Sequence, residues 1–276
     1  DALQQYAPHL VRFGERSRTT WNSRVAIPIS AASWATVFTG LRHKRTGIAN
    51  NAFTAHSKTK KANRLALQKE DTLFHILGRA SLQSLLISTG SWNGVCTIGE
   101  YAQQADVSSL DIVHIPDVGC TEYQAFVKGC KQMRECIAHT QYACLTLYTS
   151  YIDSVGHQHG FCPSSTRPYA KAITRADTQI KRLLQTIDAR ERTHGEEWMV
   201  LITTDHGGSC RRCLQRTPSG RRTLRRFDQN DEIHAGISQT HAAGIHGIRN
   251  DRSIQYQHTR AFVIVRVPRQ TGGRIR

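Results

Sequence analysis

Apolar positions in this chain follow two different spacings. From Tyr169 they recur at three- and four-residue steps through Ala172, Ile173, Ala176, Ile180, Leu183, Leu184 and Ile187. That period predicts an amphipathic helix, and Pro168 suits its first turn. Thr121–His139 has the same period, with a Thr at the capping position and Phe126, Val127, Cys130 and Met133 on one face. Asp71–Arg79, with its acidic start, and Ser33–Leu41 predict shorter helices. Between them lie short β-branched, aromatic or aliphatic runs: Leu82–Thr89 closed by Gly90, Tyr142–Tyr151, Trp198–Thr204 and Thr259–Val265. These predict buried strands. Strands separated by helices predict an α/β fold with a mostly parallel central sheet sandwiched between helices. Ligands of such sheets gather beyond the carboxyl ends of the strands.

Composition changes this picture in one region. The 276 residues carry a formal charge of +16, and seven arginines fall within Arg211–Arg226. A basic block without apolar period reads as a solvated loop, and Ser209–Gln239 as an irregular insertion. Thr54–Arg64 is a smaller basic loop. A polyanion-binding role for the arginines is the competing interpretation, but nucleic acid is not the expected partner. No run of 18 apolar residues offers a membrane span. The segment opens at Asp1 without an initiator Met or a secretory leader. Of the eight Cys, Cys210 and Cys213 have the spacing of half a zinc knuckle or a redox pair, but no second such pair accompanies them. Cys120, Cys130, Cys136 and Cys144 are either disulfide partners or buried thiols, depending on the compartment.

Two segments carry candidate metal chemistry. Tyr151-Ile-Asp-Ser-Val-Gly-His157 and Thr203-Thr-Asp-His-Gly-Gly208 each place a carboxylate and an imidazole beside glycine, just past a predicted strand. Zinc accepts both donor types, and paired metals serve displacement at phosphorus. Asp153, His157, Asp205 and His206 are therefore candidate ligands of a binuclear centre. Ser30 stands at the predicted mouth of a helix, where an anion meets free N–H groups. Beside a metal, its hydroxyl could attack phosphorus. On local sequence alone the serines there read as helix caps, and Ser33 is the better plain cap.

Ser30-Ala-Ala-Ser-Trp-Ala-Thr-Val-Phe-Thr-Gly40, Gly47-Ile-Ala-Asn-Asn51, Asp153-x-x-x-His157 and Thr204-Asp-His-Gly-Gly208 occur in that order. The set resembles the signatures of the alkaline phosphatase superfamily, most closely its type I phosphodiesterase/nucleotide pyrophosphatase branch. The resemblance runs from near Asp1 to Gly208 and resumes at about Gly244–Val265. It implies hydrolysis of small phosphodiester or nucleotide substrates with two divalent metal ions, expected to be zinc. Ser30 matches the nucleophile, and Asn51 the asparagine that binds a non-bridging phosphate oxygen. Asp153, His157 and His246 match ligands of one metal, with His241 competing for the last place. Asp205 and His206 match ligands of the other. His159 matches no ligand position and reads as a solvated loop histidine. Phe53 is a candidate for stacking on a base, with core packing as its ordinary role.

The chain departs from the pattern in three places. The family's opening strand and its Asp ligand precede the region that Asp1–Leu10 resembles, so the expectation is one catalytic domain over residues 1–276, truncated at its N-terminus. Thr46 stands where many relatives have His. The basic insertion at about 209–239 replaces a short glycine-rich turn. Ser30 in place of a Cys-x-Pro-x-Arg motif argues against sulfate esters. The resemblance favours an extracellular or secretory compartment. The alternatives are a catalytically impaired remnant of such an enzyme and a basic nucleic-acid-binding protein.

Overall fold

The computed structural model describes residues 2–20, 25, 27–53, 71–104 and 108–208, with strands at 256–257 and 261–267. Thr54–Arg64, Arg211–Arg226, Cys210, Cys213, His241 and His246 lie outside the described residues.

The chain begins with α1 (Ala2–Tyr6), α2 (Pro8–Glu15), α3 (Ser30–Thr39), α4 (His43–Thr46) and α5 (Leu73–Arg79). Strand β1 (Ser84–Thr89), α6 (Gly94–Gln104), β2 (Leu110–Ile115), α7 (Glu122–His139) and β3 (Cys144–Thr149) follow. Then come α8 (Tyr151–His159), α9 (Arg167–His194), β4 (Glu197–Thr203), β5 (Gly207–Gly208), β6 (Tyr256–Gln257) and β7 (Ala261–Val267).

The main sheet has the order β2-β1-β3-β7-β4. β1 pairs in parallel with β2 and with β3, and β7 runs antiparallel to both β3 and β4. Strand β4 therefore runs parallel to β3, so the sheet is mostly parallel, as the helix–strand alternation predicts. The reversed direction of β7 is not visible in the sequence, because Ala261–Val267 is apolar whichever way it runs. Residues 207–208 pair with 256–257 in a separate two-stranded ribbon.

Alternate residues of each strand feed different layers. Leu85 and Ile87 of β1 and Leu145 and Leu147 of β3 pack with α2, α7, α8 and α9. Leu86 and Tyr148 face Trp34, Phe38, Phe74 and Ile98 of α3, α5 and α6. Trp34 meets Tyr148 edge-on at 5.4 Å, and Phe38 stacks on Phe74 at 5.1 Å. Side chains of this size each contribute about 1.5–3 kcal/mol when buried. Helix α7 comes close to the sheet at Gly129, where a Cβ would lie 2.3 Å from Thr89 Cγ2.

Two ionic anchors fix the outer layer. Asp177 of α9, 2% exposed, accepts the backbone N–H groups of His9 (3.1 Å) and Leu10 (2.8 Å) in the first turn of α2. A carboxylate there satisfies orphan donors and opposes the positive end of the helix dipole. Arg190 binds Glu196 through Nε (2.8 Å) and Nη2 (3.1 Å), and its Nη1 donates to the Ile137 carbonyl at 2.6 Å. That fork ties the end of α7 to the approach into β4.

Candidate active site

Both carboxylate–imidazole segments follow the carboxyl ends of parallel strands. Tyr148 of β3 and Thr203 of β4 sit opposite the same residue of β7, Ala261. The two strands therefore end level with each other, two strand spacings or roughly 10 Å apart. Asp153 and Asp205 start from this common edge.

The segment after β4 forms a tight turn held by its own polar groups. Thr204 Oγ1 donates to the His206 carbonyl at 3.0 Å, and the His206 N–H donates to Asp205 Oδ1 at 2.9 Å. Asp205 is only 2% exposed. His206 Nδ1 lies 3.0 Å from the Gly207 carbonyl. A carbonyl only accepts, so Nδ1 carries the proton and Nε2 of the neutral ring is left with its lone pair. Asp205 Oδ2 stands 3.4 Å from Nε2, and Ser30 Oγ stands 3.3 Å from it. The serine hydroxyl can donate to this nitrogen, but the carboxylate cannot. Two electron-pair donors thus face each other across 3.4 Å, an arrangement that a shared cation relieves.

Ser30 reaches this turn as the first residue of α3. Ile29 is the N-cap and supplies no side-chain cap of its own. Ser33 is not the cap its position predicts: it lies within the helix, and its hydroxyl donates to the Ile27 carbonyl at 3.2 Å. Asn51 Oδ1 accepts the Ala31 N–H at 3.1 Å. Because the acceptor end of the carboxamide is held there, its NH₂ end remains available one residue from Ser30. The sequence marked Asn51 but not the backbone donor that orients it. Nearby, Phe53 is 2% exposed and packs in the core, which assigns it the ordinary role.

The other pair is arranged differently from the strand-end loop that the sequence predicts. Asp153 and His157 lie one turn apart on helix α8, with Asp153 Oδ1 3.4 Å from His157 Nε2. The Asp153 side chain is 17% exposed and that of His157 is 70% exposed. His159 is also on α8, in its last turn and exposed, so it is helical and not a loop residue.

The donor set suits a divalent cation. Two ligands bound at 2.0–2.1 Å to one tetrahedral zinc stand about 3.4 Å from each other. The separations within both pairs, and that from Ser30 to His206, are 3.3–3.4 Å. Among the described residues, no group of three His, Cys, Asp or Glu side chains gathers at one point. The described cysteines, Cys96, Cys120, Cys130, Cys136, Cys144 and Cys162, are all free. Burial pushes the thiols of Cys96 and Cys144 up to about 11, so they are not ready ligands. No helix among the described residues is long and apolar enough to cross a membrane.

A comparison with curated proteins finds no match. The model of the type I phosphodiesterase / nucleotide pyrophosphatase family matches residues 1–226, which include Ser30, Asn51, Asp153, His157, Asp205 and His206. The match stops short of His246. The chain thus belongs to the type I phosphodiesterase/nucleotide pyrophosphatase family, hydrolases of the alkaline phosphatase superfamily that are generally metal-dependent and act on small phosphodiester and nucleotide substrates.

Proposed function

We propose that this chain hydrolyses phosphodiesters or nucleotide pyrophosphate bonds by in-line displacement, with Ser30 as nucleophile beside two zinc ions. The observation that carries this reading is the convergence of Ser30 Oγ and Asp205 Oδ2 on His206 Nε2, at 3.3 and 3.4 Å. Asp205 and His206 would hold one ion next to Ser30. Asp153 and His157, with His246 from beyond the described residues, would hold the other. The bound ions supply Lewis acidity, which lowers the proton affinity of a hydroxyl or water and offsets charge on the phosphate.

The side chains account for the remaining requirements. Ser30 Oγ starts at the amino end of α3, where the helix dipole favours an anion. Its oxygen forms a bond to phosphorus while the leaving oxygen departs on the opposite side with the bonding pair. The hydroxyl proton passes to solvent. Asn51, held through its carbonyl by Ala31, donates its NH₂ to a non-bridging oxygen whose charge grows in the transition state. Water then cleaves the phospho-Ser30 ester and restores the serine. The fixed Nδ1–H bond keeps His206 in the tautomer that presents Nε2 to the site.

Ser30→Ala should lower hydrolysis of a bis-nitrophenyl phosphodiester by at least about a thousandfold. Zinc binding and the far-ultraviolet spectrum should stay unchanged. Full retention of hydrolysis overturns the nucleophile assignment. A second reading, a chain that keeps the fold and has lost catalysis, draws on the absence of a three-ligand group among the described residues. Zinc stoichiometry decides between them: two tightly held ions support the enzyme, and one or none supports the remnant.

A further inference from the structure

One carboxylate oxygen outside the proposed centre gathers an unusual number of donors. Glu122, the first residue of α7, accepts Ser150 Oγ at 2.8 Å and Ser154 Oγ at 2.8 Å on Oε1. The same oxygen lies 3.3 Å from Ser91 Oγ and 3.5 Å from Ser91 N. The donors come from different elements. Ser91 follows the end of β1, Ser150 follows β3, and Ser154 lies in the first turn of α8 beside Asp153.

Ser150 shows that this knot overrides local preference. It is the N-cap of α8, and a serine in that position ordinarily bonds its own helix. Here it makes no side-chain cap bond. Its hydroxyl, in a residue only 3% exposed, bonds Glu122 instead. The backbone of Gly90 is shaped around the same point. Gly90 has φ +100°, and a Cβ there would lie 2.0 Å from Ser150 Oγ and 3.0 Å from Glu122 Oε1. Glu122 therefore faces the amino ends of both α7 and α8, where helix dipoles favour a negative charge. The sequence reading passed over this residue because Thr121-Glu122 reads as an ordinary helix start.

We infer that Glu122 is a positioning residue for the Asp153–His157 half of the centre. Through Ser150 and Ser154 it fixes where α8 begins and how its first turn is rotated. That sets the direction from which the Asp153 carboxylate approaches a cation. Partners behind a ligand commonly control metal affinity in this way. The inference rests on the reading that Asp153 and His157 bind zinc.

The test is titration of Zn²⁺ alone into the full chain and its variants, read as affinity at each half. Thermal unfolding of the metal-free proteins is followed in parallel. Glu122→Ala should weaken the Asp153–His157 half on the order of tenfold and leave the Asp205–His206 half unchanged. Glu122→Gln keeps an acceptor oxygen for both serines and should restore affinity to within about twofold to threefold of wild type. Ser154→Ala should give an intermediate loss and serves as the probe if Glu122→Ala does not fold. In an Asp153→Asn background, Glu122→Ala should cause no further loss of zinc affinity. Wild-type affinity in a folded Glu122→Ala or Ser154→Ala protein overturns the inference alone. Zinc binding insensitive to both Asp153→Asn and His157→Ala overturns the underlying reading and the inference together.

Discussion

The two carboxylate–imidazole pairs occupy one edge of one sheet, yet they are organised differently. At Asp205–His206 the carboxylate side chain is fully buried and the imidazole is 15% exposed. Backbone groups hold both, through Asp205 Oδ1 and His206 Nδ1. At Asp153–His157 the imidazole is 70% exposed and stands on the surface of a helix. An exposed side chain loses rotamer freedom when it takes up a ligand, whereas a side chain already fixed by a turn loses little. For the proposed metal binding, the first pair is thus preorganised and the second would have to be ordered by the ion. A strand-end turn built of adjacent residues gives precision, while a helix carrying residues four apart gives adjustable reach.

The sharpest way to test this contrast is through Asn51, which belongs with the preorganised pair. Asn51→Ala should reduce kcat by about 10²–10³, the usual effect of losing one fixed donor to a developing oxyanion. Zinc affinity should be untouched. A loss confined to KM would mean that Asn51 merely assists substrate binding. The next largest effect separates the pairs directly. Asp205→Asn should lower zinc affinity by more than the roughly hundredfold that losing a residue behind a ligand can cost, and His157→Ala by about a hundredfold, both read by calorimetric titration. Equal losses would erase the distinction drawn here.

The smallest effect concerns the layer behind Ser30. His75 of α5 accepts the Thr72 N–H on Nδ1 at 3.0 Å, and its neighbour Phe74 stacks against Phe38 of α3. Burial lowers the His75 pKa below 6.5; nearby Asp71 works against the shift and Arg79 adds to it. The folded state therefore binds fewer protons than the unfolded state over this range. The stabilisation is present above pH 6.5 and is lost as pH falls through the lowered folded value. The thermal midpoint should drop between about pH 7 and about pH 5. His75→Asn should flatten that dependence. An unchanged slope would show that other groups govern the acid limb.

The sequence made some of this site legible and concealed the rest for physical reasons. The period of Tyr169–Ile187 located α9 because burial on one face leaves a spacing. The continuous apolar run at Trp198–Thr204 located β4, although Met199 and Leu201 of that strand are exposed and not buried as the run predicts. The runs also placed Asp205 and His206 just past a strand. Asp153 and His157 were found for their chemistry but set in a loop. Two residues four apart fit a loop as well as a helix, and Tyr151 extended the apparent strand. Helix α3 starts at Ser30 and not near Ser33 because the contact with His206 and the anchoring of Ala31 by Asn51 are tertiary. No local cap advertises that start. Phe53 was left between base stacking and core packing because a lone aromatic in a polar loop carries no period; its burial decides for packing. Glu122 was missed for a related reason: its donors come from Ser91, Ser150 and Ser154, which nothing in the linear order connects.

Strand β7 bears on how such a protein is made. Ala261–Val267 is translated after β3 and β4, yet it lies between them and sets their separation. A growing polypeptide that carries Asp153 and Asp205 but ends before residue 261 still lacks the strand that stands between β3 and β4. On the proposed two-ion reading, hydrolysis of a nitrophenyl phosphodiester should appear only once residues 261–267 have been added, and a polypeptide ending before residue 261 should be inert.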